Sequence, residues 1–254
     1  MDKVVDNILK RKNNSHTEGK IALVLYGGIM SGVVGTGATT ALEELGLTDC
    51  FDYVFTYSAG FPNASYFLAN QSLLSSSVYI HDLSGSKFIN FLRPWKTADI
   101  NYLIHILKDV KALNVNKIFQ KKTKILLRIK NTSSQSLELL EVTNTFEDNY
   151  FDLINAAVKM PFLSPGSVHI GDGAYKDSPK LEKGFIDEIN KYPDITDVLI
   201  IYNRPDQKIS INLPGKNYLE IIPGFTTGGL ETKSLILEKG FSDMRSLVKS
   251  YFNE

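Results

Sequence analysis

Lys20-Ile-Ala-Leu-Val-Leu-Tyr26, followed at once by Gly27-Gly28-Ile29-Met30-Ser31-Gly32, decides the class of this chain. A strand with one wet face alternates apolar and polar residues. An unbroken apolar run instead reads as a strand buried on both faces, as in a parallel sheet covered by helices. The glycine pair stops the run. Ser31 to Leu45 then takes up helical spacing, with Val34, Ala38, Ala41, Leu42 and Leu45 on one face and Gly46 as a C-terminal stop. A strand, a glycine turn and a helix open an α/β fold.

The same alternation continues outward. Asp52 to Tyr57 reads as a second strand running directly into Ser58-Ala59-Gly60 and a helix that reaches Ala69. Ile100 to Leu113 has helical spacing. Lys124–Ile129 and Leu137–Val142 read as strands joined at Ser133-Ser-Gln135. Tyr150 to Val158 reads as a helix ended by Met160-Pro161. Ser167 to Ile170 is a short strand stopping at Gly171-Asp172-Gly173. Leu181 to Tyr192 reads as a helix, Val198 to Tyr202 as a buried strand, and Glu231 to Phe252 as a terminal helix interrupted by Gly240. This predicts an α/β fold with a mostly parallel central sheet. Residues 20–254 are expected to form one domain, preceded by a leader, helical or loose, over residues 1–19.

Bulk properties narrow the function. The 254 residues are 43% hydrophobic and 22% charged, with a formal net charge of zero, so no global field favours nucleic acid. One cysteine allows no internal disulfide, and one cysteine with four scattered histidines gives no zinc-site spacing. The polar first twenty residues lack the apolar core of a secretory signal, and no apolar run approaches the ~18 residues of a membrane span. A cytoplasmic location is the expectation, with any lipid contact peripheral.

Three segments carry chemistry. Thr56-Tyr57-Ser58-Ala59-Gly60 takes a strand through a sharp turn into a helix, the geometry that projects a serine Oγ from a strand end; an ordinary helix cap is the bland alternative. Gly27-Gly28-Ile29-Met30-Ser31-Gly32 is a glycine-rich strand-to-helix turn whose N–H groups suit an oxyanion or a phosphate, or which needs glycine only for room. Gly35-Thr36-Gly37 raises a dinucleotide reading but lies inside the expected helix. Gly171-Asp172-Gly173-Ala174 offers an acid between glycines, or a plain turn. No histidine follows Asp172, so a Ser-Asp-His order is not available.

Taken in order, these segments resemble the patatin-like phospholipases across nearly the whole chain from about Lys20. Ala41-Leu42-Glu43-Glu44-Leu45-Gly46, Asn155-Ala-Ala-Val-Lys-Met-Pro161 and Ser178-Pro179 resemble further family positions. The resemblance implies a three-layer α/β/α fold and a serine acyl hydrolase of phospholipase A or esterase type. It implies Ser58 as nucleophile, Asp172 as base, an oxyanion hole from Gly27, Gly28, Ile29, Gly32 and Ala59, motif glycines Gly60 and Gly173, and a lipid acyl-ester substrate, with no metal or other cofactor. Ile29 stands where the family has a third glycine, Ser31 where it has a basic residue, and Thr56 where the elbow has glycine. These departures motivate the alternative of a lipid- or partner-binding protein that keeps the fold without the rate. Phe61, Tyr66, Phe67, Phe88, Phe91, Leu92 and Trp95 are candidates for an acyl channel, although aromatics at such spacing usually belong to the core. Lys121-Lys122-Thr123-Lys124 reads as a solvated strand entrance that could touch anionic headgroups.

Overall fold

Asp52 shows how the central strand is seated. Its carboxylate accepts from the Ile21 N–H at 2.9 Å, pairs with Lys20 at 2.9 Å and also holds Arg11. That cluster fixes the entry of the apolar run into the sheet. The computed structural model describes residues 2–15, 17–93, 96–178 and 184–252. Along the described chain the helices are α1 (Lys3–Lys12), α2 (Gly32–Glu44), α3 (Gly60–Leu68), α4 (Ser72–Ser77), α5 (Ile100–His105), α6 (Val115–Phe119), α7 (Tyr150–Ala157), α8 (Ile186–Ile189) and α9 (Ser234–Tyr251). The strands are β1 (Lys20–Leu25), β2 (Tyr53–Thr56), β3 (Lys124–Asn131), β4 (Leu137–Val142), β5 (Val168–Ile170), β6 (Gly173–Lys176), β7 (Ile195–Ile201) and β8 (Asn217–Ile221).

The sheet order is β5-β6-β3-β2-β1-β7-β8, with β4 also pairing β3. The stretch β3-β2-β1-β7-β8 is parallel; β4, β5 and β6 run antiparallel to their neighbours. The apolar run of β1 behaves as its composition demands. Ile21, Leu23 and Leu25 join the larger core under α1, α2, α3, α7 and α9, while Ala22, Val24 and Tyr26 face the second core. That second core is aromatic: Tyr26 meets Tyr57, Phe185 and Tyr202, and Phe55 meets Phe185 and Tyr192. A mostly parallel sheet between two covered faces gives the expected three-layer α/β architecture, with one layer thick and the other built from α8 and the chain around Leu213.

Residues 3–12 form an amphipathic helix whose Val4, Val5 and Ile8 are buried in the larger core, and Asn7 reaches Asp197 at the start of β7. Ile100 to Leu113 is helical in two pieces, α5 and then a π-helical turn over Ile106–Val110. A second π turn spans Val78–Asp82 after α4. β8, α4 and α6 are short segments that the sequence pattern does not announce. β6 was not expected, and it changes the site. Only Ile186–Ile189 of the expected Leu181–Tyr192 helix is helical among the described residues, and residues 181–183 lie outside them.

Candidate active site

β1, β2 and β7 end side by side, and the loops that leave their carboxyl ends converge, the usual place for a ligand in an open parallel sheet. β2 delivers Ser58. Its φ is +52°, a left-handed conformation rare for a residue with a side chain, and Gly60 N–H and Phe61 N–H close back onto Tyr57 and Ser58 carbonyls at 3.0 Å each. This is a strained strand-to-helix elbow, and α3 starts immediately after it. Gly27 must lack a side chain here, because a Cβ would come within 2.5 Å of the Ser58 Cβ. Gly60 must too: its Cβ would meet the Leu25 carbonyl at 2.5 Å. Thr56 is fully buried at the end of β2, and its Oγ1 lies against Gly60 without a hydrogen-bond partner among the described residues.

Ser58 Oγ donates to Asp177 Oδ2 at 2.8 Å, and both residues are buried. The expected partner, Asp172, is elsewhere. Gly171 and Asp172 form the exposed turn between β5 and β6, with Gly171 at φ +56°. β6 then runs back antiparallel to β3, pairing Tyr175 with Asn131 and Lys176 with Lys130. Ser58 follows Thr56, which pairs with Leu127, so the chain reaches the level of Ser58 only after Lys176. Asp172 is five residues too early, about 16 Å along an extended strand. Gly173 begins β6 and is likewise remote from the serine. The missed signal was the short Gly-Asp loop between two β runs, a hairpin cue, which moves the acid to the far end of the second strand.

Burial without a compensating charge dominates Asp177. It pushes the carboxyl up to about 8, against the opposing hydrogen bond from Ser58 and the backbone N–H of Ser178. Its Oδ1 has no hydrogen-bond partner among the described residues. His81, His105 and His169 are exposed and line neither the serine nor the acid.

The glycine loop is held by its carbonyls. Gly27 O accepts from Asn203 Nδ2 and Gln207 Nε2, both at 2.9 Å, and Gly28 O accepts from Ser31 N–H at 3.1 Å and Ser31 Oγ at 2.7 Å. A trans peptide points its N–H opposite to its C=O. The N–H groups of Gly28 and Ile29 are therefore turned away from these anchors, and no described residue is recorded accepting from them. Ala59 N–H is turned out in the same way, because the Ser58 carbonyl is engaged by Phe61. Ile29 sits at φ +55°, a strained value for a β-branched residue. Gly32 departs from the expectation. Its N–H bonds inside the turn to Ile29 and Met30 carbonyls, and a Cβ there would strike the Tyr79 hydroxyl at 2.6 Å; it provides room rather than a donor. Gly27 acts through its missing side chain and its anchored carbonyl. Ser31, in place of a basic residue, is the clamp on Gly28.

Two cavities meet at Ser58 and share Ile29 and Met160. One is apolar, walled by Tyr66, Tyr79, Leu103, Leu107 and Val158, and is narrow at about 30 Å³. The other is open, about 300 Å³; Met160, Pro161 and Leu163 form much of its wall, and it is the polar chamber of the two only in that it also gathers Tyr57, Asp177, Arg204 and Gln207. Of the seven aromatic and aliphatic candidates for an acyl channel, Tyr66 and Phe88 line the apolar cavity, Phe61 and Phe67 are core, and Phe91 and Leu92 are exposed; Trp95 lies outside the described residues. Gly35 and Gly37 serve packing. Gly35 lies against Asn203 and Gly37 against the Phe241 carbonyl of α9, so neither is open to a nucleotide. Lys121 and Lys124 pair with Asp49 and Glu141.

No protein-family model matches the chain, and no curated protein matches it. Among solved structures it is similar to VipD from Legionella pneumophila, at 11% identity over 92% of this chain and 67% of that one, with a TM-score of 0.45. It is similar to the type III effector protein ExoU at 11% identity, over 91% of this chain and 52% of that one, with a TM-score of 0.46. It is also similar to the complex of full-length ExoU with full-length SpcU from the type III secretion system of Pseudomonas aeruginosa, at 12% identity, 94% and 54% coverage, and a TM-score of 0.42. The chain thus spans about two thirds of the first and about half of the other two.

Proposed function

We propose that this protein is a serine acyl hydrolase acting on lipid acyl esters through Ser58 and Asp177. The observation that carries the reading is the 2.8 Å hydrogen bond between a serine held in a left-handed elbow and a fully buried carboxyl. Strain of this kind is kept where it serves a site. Ionised Asp177 takes the Ser58 proton as Oγ attacks the ester carbonyl. The Gly28, Ile29 and Ala59 N–H groups receive the developing oxyanion. The alkoxide leaves with the proton, and water then attacks the acyl-serine with Asp177 again as base. The apolar cavity takes the acyl chain and the polar chamber takes the rest of the ester.

Lipid as the substrate class is supported by the apolar lining beside Ser58 and by the surface around it. Phe162 is 93% exposed and follows Pro161 in the wall of the polar chamber; Phe91 and Leu92 are exposed on a neighbouring loop, which is tied to it by the Ala98 N–H to Leu163 carbonyl bond. Exposed aromatics at a cavity mouth suit peripheral contact with a lipid surface. Among the described residues no helix is long and apolar enough to cross a membrane.

The test is fatty-acid release from p-nitrophenyl esters and phospholipid vesicles by wild type, Ser58→Ala and Asp177→Asn. Loss in both variants, with the Asp172→Asn control unaffected, is the expected result. Undiminished turnover in Ser58→Ala would overturn the assignment.

A further inference from the structure

The polar chamber contains one cation among its lining residues, and it comes from the loop after β7. Arg204 faces the same cavity as Ser58 and Asp177. Its backbone is fixed independently of its side chain, since Arg204 N–H donates to Gln207 Oε1 at 3.2 Å, and Gln207 in turn holds the Gly27 carbonyl. The guanidinium uses two of its three nitrogens on one partner: Nε and Nη2 reach Asp206 at 3.1 and 3.3 Å. Asp206 is mostly exposed, and its carboxylate is two residues away on the same short turn. Nη1 lies over Gly229, close to where a side chain there would project, and has no acceptor among the described residues. A half-exposed pair of this kind is weak and readily exchanged for a better anion. Phosphate is such an anion, because a guanidinium fork binds it in two parallel hydrogen bonds.

We propose that Arg204 is the residue that sets the preference of this site between anionic phosphodiester and neutral esters, by binding the phosphate of the headgroup, with Asp206 as the internal anion that the headgroup displaces. This rests on the hydrolase reading of Ser58. It assigns the two cavities to the two ends of one molecule: acyl chain on the Tyr79 side, phosphate on the Arg204 side, ester carbon at Ser58.

The experiment compares a short-chain lysophosphatidylglycerol with the monoacylglycerol of the same chain. Wild type is expected to favour the phosphodiester. Arg204→Ala should lower kcat/KM for the phosphodiester by about 10- to 100-fold, the worth of a charge-assisted hydrogen bond, and leave the monoacylglycerol within about twofold. Asp206→Asn should move the preference the other way. Equal losses on both substrates in Arg204→Ala, or no loss on either, would overturn the proposal. A second arm is independent of turnover. Ser58→Ala protein is titrated calorimetrically with glycerophosphoglycerol and with inorganic phosphate, alone and with Arg204→Ala added. Headgroup binding that disappears with Arg204 supports the proposal even if wild type hydrolyses no ester, an outcome that would remove the hydrolase reading alone. Binding of inorganic phosphate without headgroup binding or headgroup preference would make Arg204 a free-anion site and overturn it, as would no binding at all.

Discussion

The two cavities that meet at Ser58 share Ile29 and Met160 but are walled by different parts of the fold. The apolar one is lined by side chains from α3, α5 and the two π-helical turns, and its volume of about 30 Å³ holds roughly one water-sized probe. The polar one is ten times larger, is open, and draws on the loops after β1, β2 and β7 together with Asp177. Loop and strand ends fix polar groups against the rigid sheet, so that chamber is formed before anything binds. The apolar side is closed by helical segments, two of which carry the i→i+5 irregularity that often marks functional sites. The lesson is a division of labour: under the acyl hydrolase reading the open chamber needs only Arg204 to exchange its Asp206 partner, whereas an acyl chain would have to move Tyr79, Leu103 or Leu107 to enter.

The largest expected effect breaks both sides at once. Ser58→Ala or Asp177→Asn should lower kcat by at least about a thousandfold on every ester, the scale seen when nucleophile–base units are dismantled. Substrate-dependent losses would show that the two cavities do not share one centre. Next in size is pH dependence. Asp177 is the base only when ionised, and its carboxyl is raised to about 8, so kcat/KM should climb from pH 6 to 9 with a midpoint near that value. The stability sign follows from the same shift. The folded state binds this proton more tightly than the unfolded chain, so stability is fullest below the ordinary 3.8 and is lost as pH rises to about 8. Asp177→Asn should flatten that fall in thermal melts, and a melting temperature with the same pH slope in both proteins would contradict the assignment.

Smaller effects separate the cavities. Leu107→Ala opens the apolar wall, and should raise the rate on long-chain relative to short-chain p-nitrophenyl esters several-fold while costing about 2–4 kcal/mol of stability in denaturant melts. Phe162→Ser touches neither cavity floor. It should leave soluble esters unchanged and lower turnover on vesicles by about two- to fivefold, the loss of one interfacial aromatic. Equal loss on both substrates would instead point to a role in folding the Met160–Ser164 turn.

The backbone of the candidate site on β1 and β2 was legible because each piece is local. An unbroken apolar run, a glycine pair and Ser58-Ala59-Gly60 each dictate a backbone path within a few residues. The acid was not legible in the same way. Asp172 and Asp177 are both acids near a short strand, and only the pairing of β6 with β3 decides which one reaches the serine. The carbonyl clamps Asn203 and Gln207 were invisible for the same reason, since their partners lie more than 170 residues away, and Arg204 because only the fold brings it to the cavity at Ser58. Gly32 was misread because a glycine in a turn can provide either a donor or space, and the Tyr79 hydroxyl that demands space comes from a separate element.

Those clamps have a consequence for the chain as it is made. Ser58 and both outward amides of the glycine loop precede the distant groups that hold them: the Asp177 carboxyl comes at 177, the clamps at 203 and 207, and the carbonyl that holds the Met30 N–H at 229. A ribosome therefore carries Ser58 and the glycine loop well before their hydrogen-bond partners exist. A nascent or truncated chain lacking β7 would leave the glycine loop without its clamps, and an acyl hydrolase activity at Ser58 would have to wait for residues 177–229.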